Sequence, residues 1–245
     1  MASRLKFENS NEIGCFMKMT NSYCLVSEGG SEQFFQMVHN EVGKQIPVIN
    51  ATIAGTKIVG RMTAGNKNGL LVPTSCTDDE MDAIKKYLPN GVKITKVEEK
   101  LSALGNCISC NDKVALIHPE LDKDSEDLIA EFLDVEVYRT TIAGNPLVGT
   151  YSVLSNSGGL THPMCGVAEL DELSTLLQIP LCAGTVNRGI DVIGSGMVAN
   201  DFSAFCGMET TATELSVIDA IFKLGDKTED VFASESRKNL IDELT

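Results

Sequence analysis

Residues 51–60 read "ATIAGTKIVG", and the core Thr52-Ile53-Ala54-Gly55 returns letter for letter at Thr141-Ile142-Ala143-Gly144, 89 residues later. Half that interval lands on "EEKLSALGNCIS" (98–109), where Leu104-Gly105 stands as Val59-Gly60 does after the first copy and Val148-Gly149 after the second. Extending both ways finds Ile13-Gly14 and Ile193-Gly194, so five apolar-Gly pairs recur at spacings of 46, 45, 44 and 45. A period of this length marks a repeat architecture.

Other features keep the same beat. Asn21, Asn66, Asp112, Asn156 and Asn200 fall where a first strand in each unit should end. A second apolar run follows, then a helical segment. In "TDDEMDAIKKYL" the spacing of Thr77 and Glu80 predicts a capping box, and Met81, Ile84 and Leu88 share one face. Thr211 and Glu214 repeat the box in "TATELSVIDAIF", and "SEQFFQMV", "DSEDLIAEFL" and "ELDELSTLL" fill the same place elsewhere. Each unit therefore reads strand, turn, strand, helix, with a further strand such as "GVKITKVEE" leading onward. The fold class is α/β: a five-fold pseudo-symmetric α/β propeller of about 45-residue repeats, in one domain over 1–224. The units run at about 1–45, 46–90, 91–134, 135–178 and 179–224, and 225–245 is a charged C-terminal tail outside the repeat. A unit of about 45 residues is marginal alone. Neighbours must bury each other's apolar faces, and closure into a ring removes exposed edges.

Composition narrows the function. A formal net charge of −14 argues against a broad nucleic-acid footprint and suits a basic protein partner. No apolar run approaches the roughly 18 residues that a membrane span needs, and the start, "MASRLKFENS", has no secretory core. The eight cysteines are expected to be free thiols. The residues after the beat glycines differ in chemistry: Cys15, Arg61, Asn106, Thr150 and Ser195. Variable side chains on a fixed frame are expected to form a binding patch around the axis. Arg61, Asn106 and Tyr151, beside Thr150, are the strongest candidates for its anchors.

The segments "NEIGCF", "IPVINATIAG", "GNKNGLLVP", "VEEKLSALGN", "CNDKVALIHP", "DELSTLLQIPLCAGTVNRG" and "TELSVIDAIFKL" resemble the family of eukaryotic translation initiation factor 6, over essentially the whole chain. The resemblance implies the pentein fold, five pseudo-symmetric α/β units around an axis. It implies binding without chemistry: attachment to the large (60S) ribosomal subunit on its intersubunit face, anti-association activity, and a part in large-subunit biogenesis. The implied partner is chiefly a uL14-class ribosomal protein near the sarcin-ricin loop. Release is expected to need an elongation-factor-type GTPase and its partner protein. The free protein is expected to be a monomer, without cofactor or metal, in the cytoplasm and in the nucleus including the nucleolus. Ser174 and Thr175 match a segment phosphorylated in the family, with Glu169, Asp171 and Glu172 just upstream. In the tail, Leu240, Ile241 and Leu244 suggest a helical stripe. Where family members carry a tail serine this chain has Glu235, between Ser234 and Ser236, so a switch at that position does not carry over.

Three other readings compete. Pentein-fold enzymes that modify guanidino groups use Cys, His and carboxylates, and this chain has Cys206 and His162. Both are read as occupying the same place in their own repeats, before Gly207 and Pro163, as is His118 before Pro119, which favours structure. Cys107 and Cys110 have zinc-ligand spacing, but no second pair follows and the segment reads as strand. "GSGMVA" (194–199) imitates a nucleotide fingerprint, yet it too reads as strand.

Overall fold

The structure, a computed structural model, describes residues 1–224; the tail with Ser234, Glu235, Ser236, Leu240, Ile241 and Leu244 lies outside the described residues. The chain opens with β1 (Ala2–Leu5) and then makes five passes of one pattern. The first is a one-turn helix α1 (Ile13–Phe16), β2 (Met17–Met19), β3 (Cys24–Ser27), α2 (Glu32–Val42) and β4 (Val48–Ala51). The second is α3 (Val59–Met62), β5 (Ala64–Gly65), β6 (Gly69–Pro73), α4 (Asp78–Lys85) and β7 (Lys93–Val97). The third is α5 (Leu104–Cys107), β8 (Ile108–Cys110), β9 (Val114–Ile117), α6 (Lys123–Leu133) and β10 (Glu136–Arg139). The fourth is α7 (Val148–Tyr151), β11 (Ser152–Leu154), β12 (Gly159–Thr161), α8 (Val167–Leu177) and β13 (Leu181–Ala183). The fifth is α9 (Ile193–Gly196), β14 (Met197–Ala199), β15 (Ala204–Gly207) and α10 (Ala212–Ile221).

Each pass builds a three-stranded sheet whose middle strand is antiparallel to the first strand and parallel to the third. The middle strands are buried along their whole length, which is why "CLVS", "GLLVP" and "VALI" carry apolar side chains without alternation. The third strand pairs back onto the sheet before it. Counted by sheet, the first four units therefore reach residues 51, 97, 139 and 183. The fifth sheet takes its third strand from the other end of the chain: β1 pairs in parallel with β15, Ala2 opposite Ala204 and Leu5 opposite Gly207.

The ring is closed. The one-turn helices touch in the cycle α1, α3, α5, α7, α9 and back to α1. Their glycines permit the approach. A Cβ at Gly60 would lie 2.1 Å from the Gly14 carbonyl oxygen, and one at Gly14 would lie 2.1 Å from that of Gly194. No real Cβ tolerates such a contact, so only glycine fits at these positions. The longer helices are amphipathic. In α2, Phe34, Val38 and Val42 are buried at four-residue spacing. They pack with Met17 and Val26 of their own sheet and with Leu5 and Phe205 of the fifth. In α6, Ile129 and Leu133 pack with Ala64, Leu71 and Val97 of the sheet before. No unit owns a closed core. Five pseudo-symmetric α/β units share their cores around one axis, the pentein arrangement.

The repeated Thr-Ile-Ala-Gly is a clasp. Ala54 and Gly55, and again Ala143 and Gly144, have positive φ, as a two-residue hairpin turn of the primed type requires. Ile53 and Thr56 exchange backbone hydrogen bonds across the turn, and so do Ile142 and Asn145. A helix carboxylate then grips each turn. Glu80 accepts from Thr52 Oγ1, from the Ala54 and Gly55 amides, and from the amide and hydroxyl of Thr77, its capping-box partner. Glu214 does the same for Thr185, Arg188, Gly189 and Thr211, and Glu169 accepts from the Ala143 amide. Burial alone would raise the Glu80 and Glu214 carboxyls. The backbone and hydroxyl donors outweigh it and hold both at about 2. The unfolded chain takes up these protons near 4.5. The clasps therefore stabilise fully above about pH 4.5, and their contribution falls away as pH drops toward 2. Glu80→Gln and Glu214→Gln should each lower stability by about 1–2 kcal/mol at pH 7. The doubly substituted protein should show a flatter fall in unfolding midpoint between pH 4.5 and 2. An unchanged acid profile would show that other carboxylates carry it.

Candidate functional site

The axis has two closures and a chamber between them. At one end stand the one-turn helices. No side chain caps any of them: the residues before them, Glu12, Ile58, Ala103, Leu147 and Val192, make no cap hydrogen bond. Their single turns come from ring packing rather than from local signals. For that reason the segments holding Cys107 and Gly194, read as strand, prove to be a helical turn followed by a strand.

The five residues after the glycines do gather around the axis at this end, each half-buried. They are not equivalent. Arg61 turns inward and is not a surface anchor. Its Nε donates to the Gly14 carbonyl (3.2 Å) and its Nη1 to the Gly149 carbonyl (2.9 Å), so one side chain of the second unit ties the first to the fourth. Burial pulls this guanidinium down to about 10, opposed by Cys15. The sequence could not show the inward turn, because an Arg at a variable position reads equally as an anchor and as a plug. Cys15 lies between Ser195 and Glu12; burial raises its thiol, and the Ser195 hydrogen bond opposes this. Thr150 Oγ1 is buried without a partner among the described residues. Tyr151 packs edge-on against His162 at 5.1 Å. The Asn106 side chain is half-buried on α5. Ile58, 41% exposed at the start of α3, adds an apolar contact beside them that sequence reasoning passed over.

The far closure is a ring of amides and carboxylates. The turn residues expected as one set occupy two successive positions. Asn66 and Asn200 come first in their turns, with Thr20, Asn111 and Ser155, and each of these bonds to the backbone. Asn21, Asp112 and Asn156 come second, with Lys67 and Asp201, and these converge. Asn21 Nδ2 donates to Asp112 (2.7 Å) and Asp201 (2.8 Å), and Asn156 Nδ2 donates to the same two carboxylates at 2.7 Å. The register slip arose because Asn and Asp serve both turn positions equally well.

The remaining candidates are placed apart from the axis. Cys206 and His162 do not share a repeat position. Cys206 faces Met197 across its ladder as Thr161 faces Ser152 and Ile117 faces Ile108, so Gly207 is the counterpart of His162 and His118. Burial pushes the Cys206 thiol up to about 12, which removes the thiolate a nucleophile needs. His162 and His118 accept from backbone amides through Nδ1, and His162 Nε2 lies 3.3 Å from Asp191. Cys107 is buried on α5, whereas the Cys110 thiol donates to the Gly65 carbonyl. In α8, Ser174 is half-buried and donates to the Ile179 carbonyl at 2.5 Å, while Thr175 is exposed and donates to the Asp171 carbonyl.

A family model described as "eIF-6 family" matches residues 2–221. The chain belongs to the eIF-6 family. It is 58% identical to "Eukaryotic translation initiation factor 6" of Tetrahymena thermophila over 241 residues, 98% of each chain. It is 57% identical to the Saccharomyces cerevisiae protein of that name over 242 residues, 99% of each, and 54% identical to the Drosophila melanogaster one over 245 residues, all of each. These eIF-6 relatives are named as initiation factors, not as enzymes. Among solved structures the chain is similar to a dimethylarginine dimethylaminohydrolase, with a TM-score of 0.47 and 11% identity over 70% of this chain and 68% of that one.

Proposed function

We propose that this eIF-6 family member acts in translation by binding the large (60S) ribosomal subunit on its intersubunit face. It thereby blocks premature joining of the small subunit, and it takes part in large-subunit biogenesis between nucleolus and cytoplasm. The observation that carries this reading is full-length similarity to initiation factors, combined with a ring whose one-turn helices present Asn106, Tyr151, Thr150, Cys15, Ser195 and Ile58 around one end of the axis. A basic ribosomal protein of the uL14 class, near the sarcin-ricin loop, suits a factor of net charge −14. In this reading an elongation-factor-type GTPase with its partner protein releases it, and Thr175 is the more accessible of the two candidate phosphorylation sites on α8.

Co-sedimentation with purified subunits tests the reading. The protein should pellet with large subunits and not with small ones, and it should lower the yield of joined ribosomes. Recovery with neither subunit would end the proposal. Asn106→Ala and Tyr151→Ala should each weaken large-subunit binding about thirtyfold, or about 2 kcal/mol, with thermal unfolding unchanged. Cys206→Ala should bind within about tenfold of the parent.

A further inference from the structure

Among the described residues, two cations line the axial chamber and no carboxylate does. The chamber, about 50 Å³, is lined by Lys18, Arg61, Ser109, Cys110 and Ser152 among apolar and glycine positions. A narrower space of about 20 Å³ follows at the Asn–Asp closure. Lys18, half-buried on β2, is among the residues that line the chamber. The ion pairs of the described residues all lie elsewhere. Arg61 is satisfied at Nε and Nη1 by carbonyl dipoles, which carry no net charge. Asp112 and Asp201 already accept from the Asn21 and Asn156 amides at the far closure. Those carboxylates keep their charge, but they stand at the far closure and make no ion pair with either cation. A half-buried cation without a direct partner is costly, and proteins avoid this by pairing the charge.

We propose that the axial chamber binds one small inorganic anion of the halide class, chloride in the cell, between the Lys18 ammonium and the free end of the Arg61 guanidinium. The chamber volume admits an ion with a water or two beside it. A halide is favoured over an oxyanion by the size of the chamber, about 50 Å³, and because two of the five Arg61 N–H groups are already given to the Gly14 and Gly149 carbonyls. Both closures are also tight. Glycine-to-carbonyl contacts bound one end, and hydrogen bonds of 2.7–2.8 Å bound the other. The ion would pair with both cations and tie the first unit's strand to the second unit's plug. Burial lowers the Lys18 ammonium, Cys110 opposes this and Arg61 adds to it, so a bound anion would favour the charged amine.

The test uses the full chain. Crystals grown with sodium bromide should show anomalous density at the bromine edge between Lys18 and Arg61. In solution, replacing gluconate by chloride at constant ionic strength should raise the melting temperature with the logarithm of chloride. The rise should reach about 4 °C once chloride exceeds its dissociation constant tenfold. Lys18→Met should remove both the bromide peak and the chloride dependence while keeping the fold. If that variant does not fold, the parent's bromide peak and chloride titration decide alone. Water only in the chamber overturns the proposal. So does a bromide peak without chloride-dependent melting, which is binding at crystal concentration only. Stabilisation by phosphate but not by halide overturns it as well.

Discussion

Gly149→Ala should lower stability by about 3 kcal/mol or more and the melting temperature by roughly 10 °C, one of the largest effects of a single methyl group in this chain. The added Cβ would lie 2.3 Å from the Gly105 carbonyl oxygen and 2.5 Å from that of Ile108. Both obstacles are backbone, so no side chain can swing aside. The Gly149 carbonyl must also stay where Arg61 Nη1 reaches it at 2.9 Å. Any shift that relieves the clash therefore strains the axial plug. Gly166→Ala is the control. Nothing among the described residues lies within 4 Å of a Cβ there, and the residue sits at a helix start, so a change of only a few tenths of a kcal/mol is expected. Thermal and urea unfolding of the two variants separate the cases. Equal loss in both would show that the glycine contacts are not what closes the ring.

Deleting residues 1–5 should cost about 5 kcal/mol or more, a large share of the usual 5–15 kcal/mol of a folded domain. The fifth sheet would lose β1 and with it the whole ladder from Ala2 to Leu5. Leu5, 1% exposed, contributes about 1.5–3 kcal/mol by burial. The Ala2 amide bond to Asp219 and the amino-terminal bond to the Leu224 carbonyl would go too, each worth about 1 kcal/mol or more. The truncated chain should show early loss of the α2 core, because Leu5 packs with Phe34 and Val38. A cooperative transition at the parent's temperature would refute the closure by β1.

Some of this was legible in the sequence and some was not, for physical reasons. The Val59-Gly60 beat gave the unit count, because close packing at a common axis leaves glycine as the one residue that fits. Thr77 with Glu80 and Thr211 with Glu214 gave helix starts, because a capping box is a local contact. The one-turn helices were not legible, since α5 and α9 carry no local cap and owe their shape to neighbours far away in sequence. Nor was the Asn21–Asp112–Asn156–Asp201 closure, which joins side chains 91 and 180 positions apart. Arg61 reads in the sequence as an outward anchor, whereas its Nε and Nη1 reach backbone carbonyls inside the ring. Its role depends on where the Gly14 and Gly149 carbonyls point, which only the assembled ring determines. The second grip of Glu80, on the Thr-Ile-Ala-Gly turn, was hidden behind its more familiar role as a capping residue.

The pairing of β1 with β15 also orders events in time. A ribosome delivers Ala2 first and Ala204 some 200 residues later. At about 5–20 residues per second, β1 waits tens of seconds for its partner. During that interval the second and third sheets can form while the first helix, α2, lacks part of its packing surface. Closure between the two ends is then a late, non-local step, the kind that slows folding. The cycle of one-turn helices has the same dependence: α1 and α9 touch to complete it, so a nascent chain that stops before Gly196 cannot yet assemble the patch around that end of the axis.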